Sequence, residues 1–304
     1  MSNWLIEQAE YRTTKNGKQY LWAQGNTGEK RKPMYIWNSP MTQDPSKYKG
    51  LVFSLTQEKD MGDYISASWN DMVILNLDEL EPCALHKIKL KGDVNSNRLI
   101  NILNGVIAIV SMPKFFKDFL ASEEVVEILM KYQTRPAGAK VHHPWENGLS
   151  THTAEALEAY AALANVRYLK GLKHHVAIVA IVFHDYGKLL EYKKDGEYTK
   201  VMPLLGHIYI GASEVERLLV SFYHQNIEKY TDYPISDLYE DVVRIQHAIL
   251  AHHGEKEAGS PVVPATIEAY MVHLCDLISA RANMWDMAVD MERNPWLGTF
   301  VVKD

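Results

Sequence analysis

The 304-residue sequence is poor in cysteine: it holds only Cys83 and Cys275, far apart and in no ligand-like spacing. That scarcity excludes a disulfide framework and a thiolate metal cluster, and it fits a reducing, cytoplasmic setting. Long apolar runs are missing too. Stretches such as VAIVAIVF, 176–183, fall well short of the roughly 18 residues that a membrane-spanning helix needs. No membrane partner is expected. The N-terminal MSNWLIEQAEYRTTKNGK lacks the apolar core of a secretory signal. There is no internal repeat and no low-complexity tract.

What is present is the composition of a globular protein, 47% hydrophobic and 23% charged, with a net charge of −6. The charge is uneven. Residues 1–100 carry 13 Lys/Arg against 12 Asp/Glu, about +1, whereas residues 101–304 carry 19 against 26, about −7. An acidic half repels a polyanion unless bound cations neutralise its site.

Residues 1–91 are β-rich in pattern. The short segments QYLWAQ, MYIWN, LVFSL and DMVILNL are separated by KNG, NTG and Pro turn signals. From Asn97 onward the periodicity is helical. In NGLSTHTAEALEAYAALA, positions 149, 152, 153, 156, 157, 160 and 163 share one helical face, with His152 among them. TRPAGAKVHHP, 134–144, is the clearest loop. The expected architecture is multidomain α+β: a β-rich, OB-like N-terminal barrel at 1–91, a helical connector at 92–133 and an all-α bundle at 134–304.

Twelve of the thirteen histidines lie between 142 and 273, and only His86 is outside. Among them run His152, His184-Asp185, His207, His252-His253 and, on the last helical pattern, Asp276. Ligands spread over several helices converge only in the middle of a bundle. Imidazole with carboxylate suits Mn, Fe, Co, Ni or Zn. A carboxylate such as Asp185 can bridge two cations about 3.5–4 Å apart, the arrangement that clamps both oxygens of a phosphoryl transfer. The bland alternative is a set of hydrogen-bonded core histidines. His174, His175 and His224 read as surface positions, His247 and His273 as core or supporting residues, and His142 and His143 as bordering the site. No cation in the sequence is an obvious partner for Asp185, and Lys188 reads as a rim residue.

The stretches PAGAKVHHPWENGLSTHT, FHDYGK, LLGHIYIG, ILAHHGEKEAGSPVVPATIEA and HLCDLISARANM, over residues 134–284, resemble the HD superfamily of metal-dependent phosphohydrolases. The resemblance sharpens to the YhaM-like 3′→5′ exoribonucleases, which join an OB-type domain to an HD domain. It implies an all-α HD domain and two divalent cations, Mn²⁺ foremost, with Fe²⁺, Co²⁺, Ni²⁺ or Mg²⁺ as alternatives. The first cation would be held by His152, His184, Asp185 and Asp276, the second by Asp185, His207, His252 and His253. Lys188 falls where the family has the lysine of HDxGK, within reach of a phosphate oxygen, and with Asp185 makes the catalytic pair. His143, Glu257, Ser260 and Arg281 are expected substrate contacts. After the last ligand the family usually carries D-x-x-D-A-K, and here Ser279 and Arg281 stand at the second Asp and the Lys.

In the N-terminal third, Tyr20 and Trp22 alternate along one strand and Tyr35 and Trp37 along another, so each pair shares a face. Lys15, Lys18, Lys30, Arg31 and Lys32 bracket these strands. Tyr20, Trp22, Lys30, Arg31 and Lys32 are therefore candidates for stacking bases and tracking phosphates. The competing reading makes these rings barrel core. The expected activity is 3′→5′ hydrolysis of single-stranded RNA, with DNA as a second polymer and a homo-oligomer as an allowed state. The alternative enzyme is an HD phosphodiesterase or phosphohydrolase of cyclic or dinucleotide substrates.

Overall fold

The computed structural model of the chain describes residues 3–27, 31–41, 44–48, 51–74, 98–164, 171–193, 196–288 and 291–302. Seven strands, β1 (Asn3–Thr13), β2 (Gln19–Asn26), β3 (Arg31–Trp37), β4 (Val52–Leu55), β5 (Lys59–Asp60), β6 (Ile65–Ser68) and β7 (Met72–Ile74), form one sheet. Its order is β5-β6-β3-β2-β1-β4-β7. Only β3 and β6 run parallel. A register slip between Ile6 and Gln8 bends β1, which pairs with β2 on one side and, at its start, with β4 on the other. The sheet curls into an OB-like half-barrel.

Alternation assigns the faces. Trp4, Ile6, Leu21, Ala23, Met34, Ile36, Phe53 and Ile65 fill the inside. Gly25 is required there, because a Cβ would lie 2.4 Å from the Met34 sulfur. Tyr20, Trp22, Tyr35 and Trp37 occupy alternate positions to this set, so they belong to the outer face and not to the barrel core.

The helices follow: α1 (Arg98–Ile109), α2 (Lys114–Leu120), α3 (Glu123–Tyr132), α4 (Gly148–Leu163), α5 (His174–Phe183), α6 (Lys188–Glu191), α7 (Val201–Leu204), α8 (Gly206–Gln225), α9 (Ile235–Leu250) and α10 (Ile267–Met287). A two-stranded hairpin, β8 (Arg293–Asn294) and β9 (Thr299–Phe300), comes last. Among the described residues no helix is long and apolar enough to cross a membrane. The helix α5 is apolar all round and buried from His175 to Phe183, so it forms the axis of the bundle. It packs against α4, α9 and α10. In α4 the side chains at 149, 152, 153, 156, 157 and 160 are buried, as the 3.6-residue period requires.

Two sequence expectations need correcting. The described part of the expected connector, residues 98–133, does not stand apart: Leu99, Leu103, Phe115, Phe116, Phe119 and Tyr132 lie in the same core as α4, α5 and α9. The apolar faces of α1 to α3 are buried against the bundle. The boundary at 91/92 falls outside the described residues. Secondly, His175 is no surface residue. It is buried, stacked on Phe116 at 4.5 Å, and its Nε2 donates to Asp241 Oδ2 at 2.7 Å. Asp241 also accepts from Lys173 Nζ and the Tyr233 hydroxyl, and this paired network offsets the cost of its burial.

Candidate metal centre

Five helix ends and helix faces converge on one point. His152 lies on the inner face of α4. His184 and Asp185 follow immediately on α5, where its apolar run ends inside the protein. His207 is the second residue of α8, His252 and His253 follow α9, and Asp276 is in the middle of α10. Two glycines permit the approach. A Cβ on Gly187 would lie 2.2 Å from the His207 carbonyl oxygen, so only glycine lets the HDYGK turn sit against the start of α8. Gly254 has φ +82°, and a Cβ there would meet the His273 ring at 2.4 Å.

The side chains form two groups. In the first, His152 Nε2 lies 3.1 Å from His184 Nε2 and 3.0 Å from Asp276 Oδ1. In the second, nitrogen atoms of His207, His252 and His253 come within 4.8 Å of one another. Asp185 stands between them. Its Oδ2 is 3.3 Å from His184 Nε2 and 3.6 Å from His152 Nε2, whereas its Oδ1 is 3.5 Å from His207 Nε2 and 3.8 Å from His252 Nε2.

Hydrogen bonds at the far side of each ring fix its tautomer. Carbonyl oxygens only accept, so His184 Nδ1 donates to Ile181 O (2.7 Å), His252 Nδ1 to Ile249 O (2.7 Å) and His253 Nδ1 to Ala258 O (3.0 Å). His207 Nδ1 donates to the Glu191 carboxylate at 3.2 Å. The Ser279 hydroxyl donates to Glu155 Oε2 at 2.7 Å and therefore accepts from His152 Nδ1 at 2.9 Å. All five rings thus turn an Nε2 lone pair inward, the form in which imidazole binds a metal.

Burial pushes His152, His252 and His253 below the usual histidine range, the last two helped by neighbouring histidines. His184 goes the other way: burial lowers it, but the Asp185 carboxylate more than compensates. Burial alone would raise Asp185 and Asp276. The Lys188 ammonium and His184 instead hold Asp185 well below the carboxylate range, and His152 does the same for Asp276.

The donor set fits a divalent cation. Asp185 Oδ1, His207 Nε2 and His252 Nε2 are buried and have no hydrogen-bond partner among the described residues. Each unpaired buried acceptor costs about 1–3 kcal/mol. No single hydrogen-bond donor side chain serves all three, and a cation with nitrogen and oxygen ligands does.

Lys188 is not at the rim. It is buried (6% exposed) and its Nζ lies 2.7 Å from Asp185 Oδ2, so Asp185 does have a cationic partner. The turn after α5 swings position 188 back under position 185, an i,i+3 relation. His143 is buried at the border, with its Nε2 3.0 Å from Glu155 Oε2 and φ +43°. Ser260 is buried in the loop after His253 and its hydroxyl has no partner among the described residues, while Glu257 is exposed in the same loop. Arg281 is exposed and donates to Trp296 O, which ties α10 to the terminal hairpin.

On the sheet, Tyr20 is covered by Tyr35 (5.2 Å, stacked) and Trp37 (5.0 Å), leaving it 8% exposed. Trp22 stays half-buried beneath the Arg12 guanidinium at 4.1 Å. Arg31 pairs with Glu7 at 2.5 Å and Lys32 with Asp60 at 2.6 Å. Lys30 lies outside the described residues.

The sequence reading missed Glu155 and Glu191. A signal exists for Glu155, which follows His152 by three residues on the same face of α4. Glu191 gives less: it is one carboxylate after an apolar pair on a four-residue helix, and its burial depends on His207 folding back over it.

Residues 149–281, in the helical half, match the HD domain family. The chain is 32% identical over 169 residues to a protein named 3′-5′ exoribonuclease YhaM from Geobacillus sp. (strain WCH70), covering 54% of this chain and 48% of that one. It is 33% identical over 157 residues to a protein of the same name from Shouchella clausii (strain KSM-K16), covering 51% and 44%. The chain thus spans about half the length of these curated relatives. No solved structure matches.

Proposed function

We propose that this chain is a metal-dependent 3′→5′ exonuclease that hydrolyses phosphodiester bonds of single-stranded RNA, with DNA as the alternative polymer. The reading rests above all on Asp185, whose two oxygens face two different groups of imidazole lone pairs. A monodentate core ion pair needs only one of them. The names of the two relatives supply the polymer and the direction of attack.

His152, His184, Asp185 and Asp276 would hold one divalent cation, and Asp185, His207, His252 and His253 a second, with Mn²⁺ the first candidate. When bound, such a pair supplies a water acidic enough to ionise near neutral pH and neutralises charge at phosphorus. The protein's own share is orientation. The Nδ1 bonds to Ile181, Ile249, Ala258, Glu191 and Ser279 lock five rings before any ligand arrives, which removes reorganisation from the reaction. Lys188 keeps Asp185 ionised in its buried position. Ser260, whose buried hydroxyl has no partner among the described residues, and the exposed Glu257 lie on the loop that follows His253. On the OB-like half, Trp22 with Arg12 and Trp37 with Lys18 (4.8 Å) offer ring-and-cation pairs suited to stacking unpaired bases. Such a platform favours a strand over a small cyclic nucleotide.

The test is a product assay on 3′- and 5′-labelled RNA and DNA with a panel of Mn²⁺, Fe²⁺, Co²⁺, Ni²⁺ and Mg²⁺, alongside cyclic dinucleotides. A ladder shortened from the 3′ end is the expected result. Turnover confined to cyclic dinucleotides, or binding of RNA without turnover in any metal, would overturn the proposal.

A further inference from the structure

One oxygen, Glu155 Oε2, accepts two hydrogen bonds: from the Ser279 hydroxyl at 2.7 Å and from His143 Nε2 at 3.0 Å. Both donors are buried, at 2% and 1% exposure, while the Glu155 side chain reaches 32%. An exposed ion pair of this kind would ordinarily be worth little. Here the direction of the protons matters more than the strength. A carboxylate accepts only, so the Ser279 O–H must point at Glu155. Its remaining lone pairs are then the partner for His152 Nδ1 among the described residues, 2.9 Å away, and that nitrogen must carry the proton. Without Glu155 the hydroxyl is free to rotate and donate to Nδ1, which moves the ring proton to Nε2, the atom that faces His184, Asp185 and Asp276.

We propose that Glu155 is a positioning carboxylate that sets the tautomer of His152 through the Ser279 hydroxyl and, with the same oxygen, anchors His143 at the border of the centre. The inference rests on reading the centre as a metal site. It also gives Ser279 a role: serine cannot by itself dictate which ring nitrogen is protonated, and Glu155 completes it. His143 is fixed from its backbone as well, since its N–H donates to Asn283 Oδ1 at 2.7 Å. Loop 141–147 is thereby tied to α4 by Glu155 and to α10 by Asn283.

The experiment is metal binding by the stripped full-length protein, read by calorimetry with Mn²⁺ and by the visible spectrum with Co²⁺. Glu155→Ala should weaken one of the two sites about 10- to 100-fold, the usual cost of losing such support, and should alter one Co²⁺ spectrum. Ser279→Asp places a carboxylate directly at His152 Nδ1, so S279D in the E155A background should restore both affinity and spectrum. A packing role for Glu155 would not be rescued this way. Should E155A fail to fold, Glu155→Leu, which fills the space and accepts no hydrogen bond, carries the same test. Unchanged binding in the Glu155 variants, or no rescue by S279D, overturns the inference. If instead the unmodified protein binds no Mn²⁺ or Co²⁺ at all, the metal reading itself has failed.

Discussion

The two groups of the centre share Asp185 and differ in almost everything else. His152 and His184 are 0–1% exposed and have a carboxylate of their own, Asp276. The second group is three imidazoles whose inward side meets one carboxylate among the described residues, Asp185, with Glu191 behind His207, and its His207 side chain is 16% exposed. Two carboxylates against one make the first group the more negative and the better closed. The second is the more open to solvent. Under the proposed two-cation reading the first group is the anchoring half and the second the accessible half, so the first should take its cation at lower concentration than the second.

Four changes would break or sharpen that contrast, in descending order of effect. Asp185→Ala removes the shared ligand and should abolish both metal stoichiometry and hydrolysis; metal analysis showing two ions per chain in this variant would end the bridging assignment. Gly187→Ala strikes one half only. With 2.2 Å between a new Cβ and the His207 carbonyl oxygen, the start of α8 must move. Metal content should fall from two to one, with about 1–3 kcal/mol lost in urea unfolding. Glu191→Gln keeps an acceptor for His207 Nδ1 but drops the charge, so the weaker site should lose about tenfold in affinity while the stronger is unchanged.

The fourth change is pH. His142, His152, His252 and His253 are held below the usual histidine range, chiefly by burial, and His184 is raised. As pH falls through about 6.5, the unfolded chain binds protons that these four sites refuse, so the metal-free protein should lose stability. His184 opposes this with one site against four. Urea midpoints of stripped protein at pH 7.5 and 5.5 check the sign: the midpoint should be lower at 5.5, and an equal or higher one would contradict it.

Local order carried the sequence reading a long way. The 3.6-residue period placed His152 inside α4, and the all-apolar α5 could only be a central helix. The His-Asp, GH and HHG segments meet because each lies at a helix end or start, which local signals mark. What escaped depended on partners distant in sequence or on turns. His175 looked exposed because its partner, Asp241, lies 66 residues on. Lys188 was placed at the rim because nothing local shows that the turn after α5 folds inward. On the sheet, alternation correctly paired Tyr20 with Trp22 on one face, but it could not tell that Tyr35 and Trp37 cover Tyr20.

His184 and His252 are held the same way, each just past the end of a helix and each donating Nδ1–H to the carbonyl three residues back, Ile181 and Ile249. That repetition has an electrical consequence. A helix C-terminus carries roughly half a negative charge in its last carbonyls. The ends of α5 and α9 both deliver their final residues to the centre, whereas α8 brings its N-terminus there with His207, so the main chain adds a net of roughly half a unit of negative potential to that of Asp185 and Asp276. Cation attraction is thus built partly into peptide dipoles that no side-chain substitution removes. Variants stripped of single ligands should still draw divalent ions toward the cavity, as a pull that salt screens and mutagenesis does not.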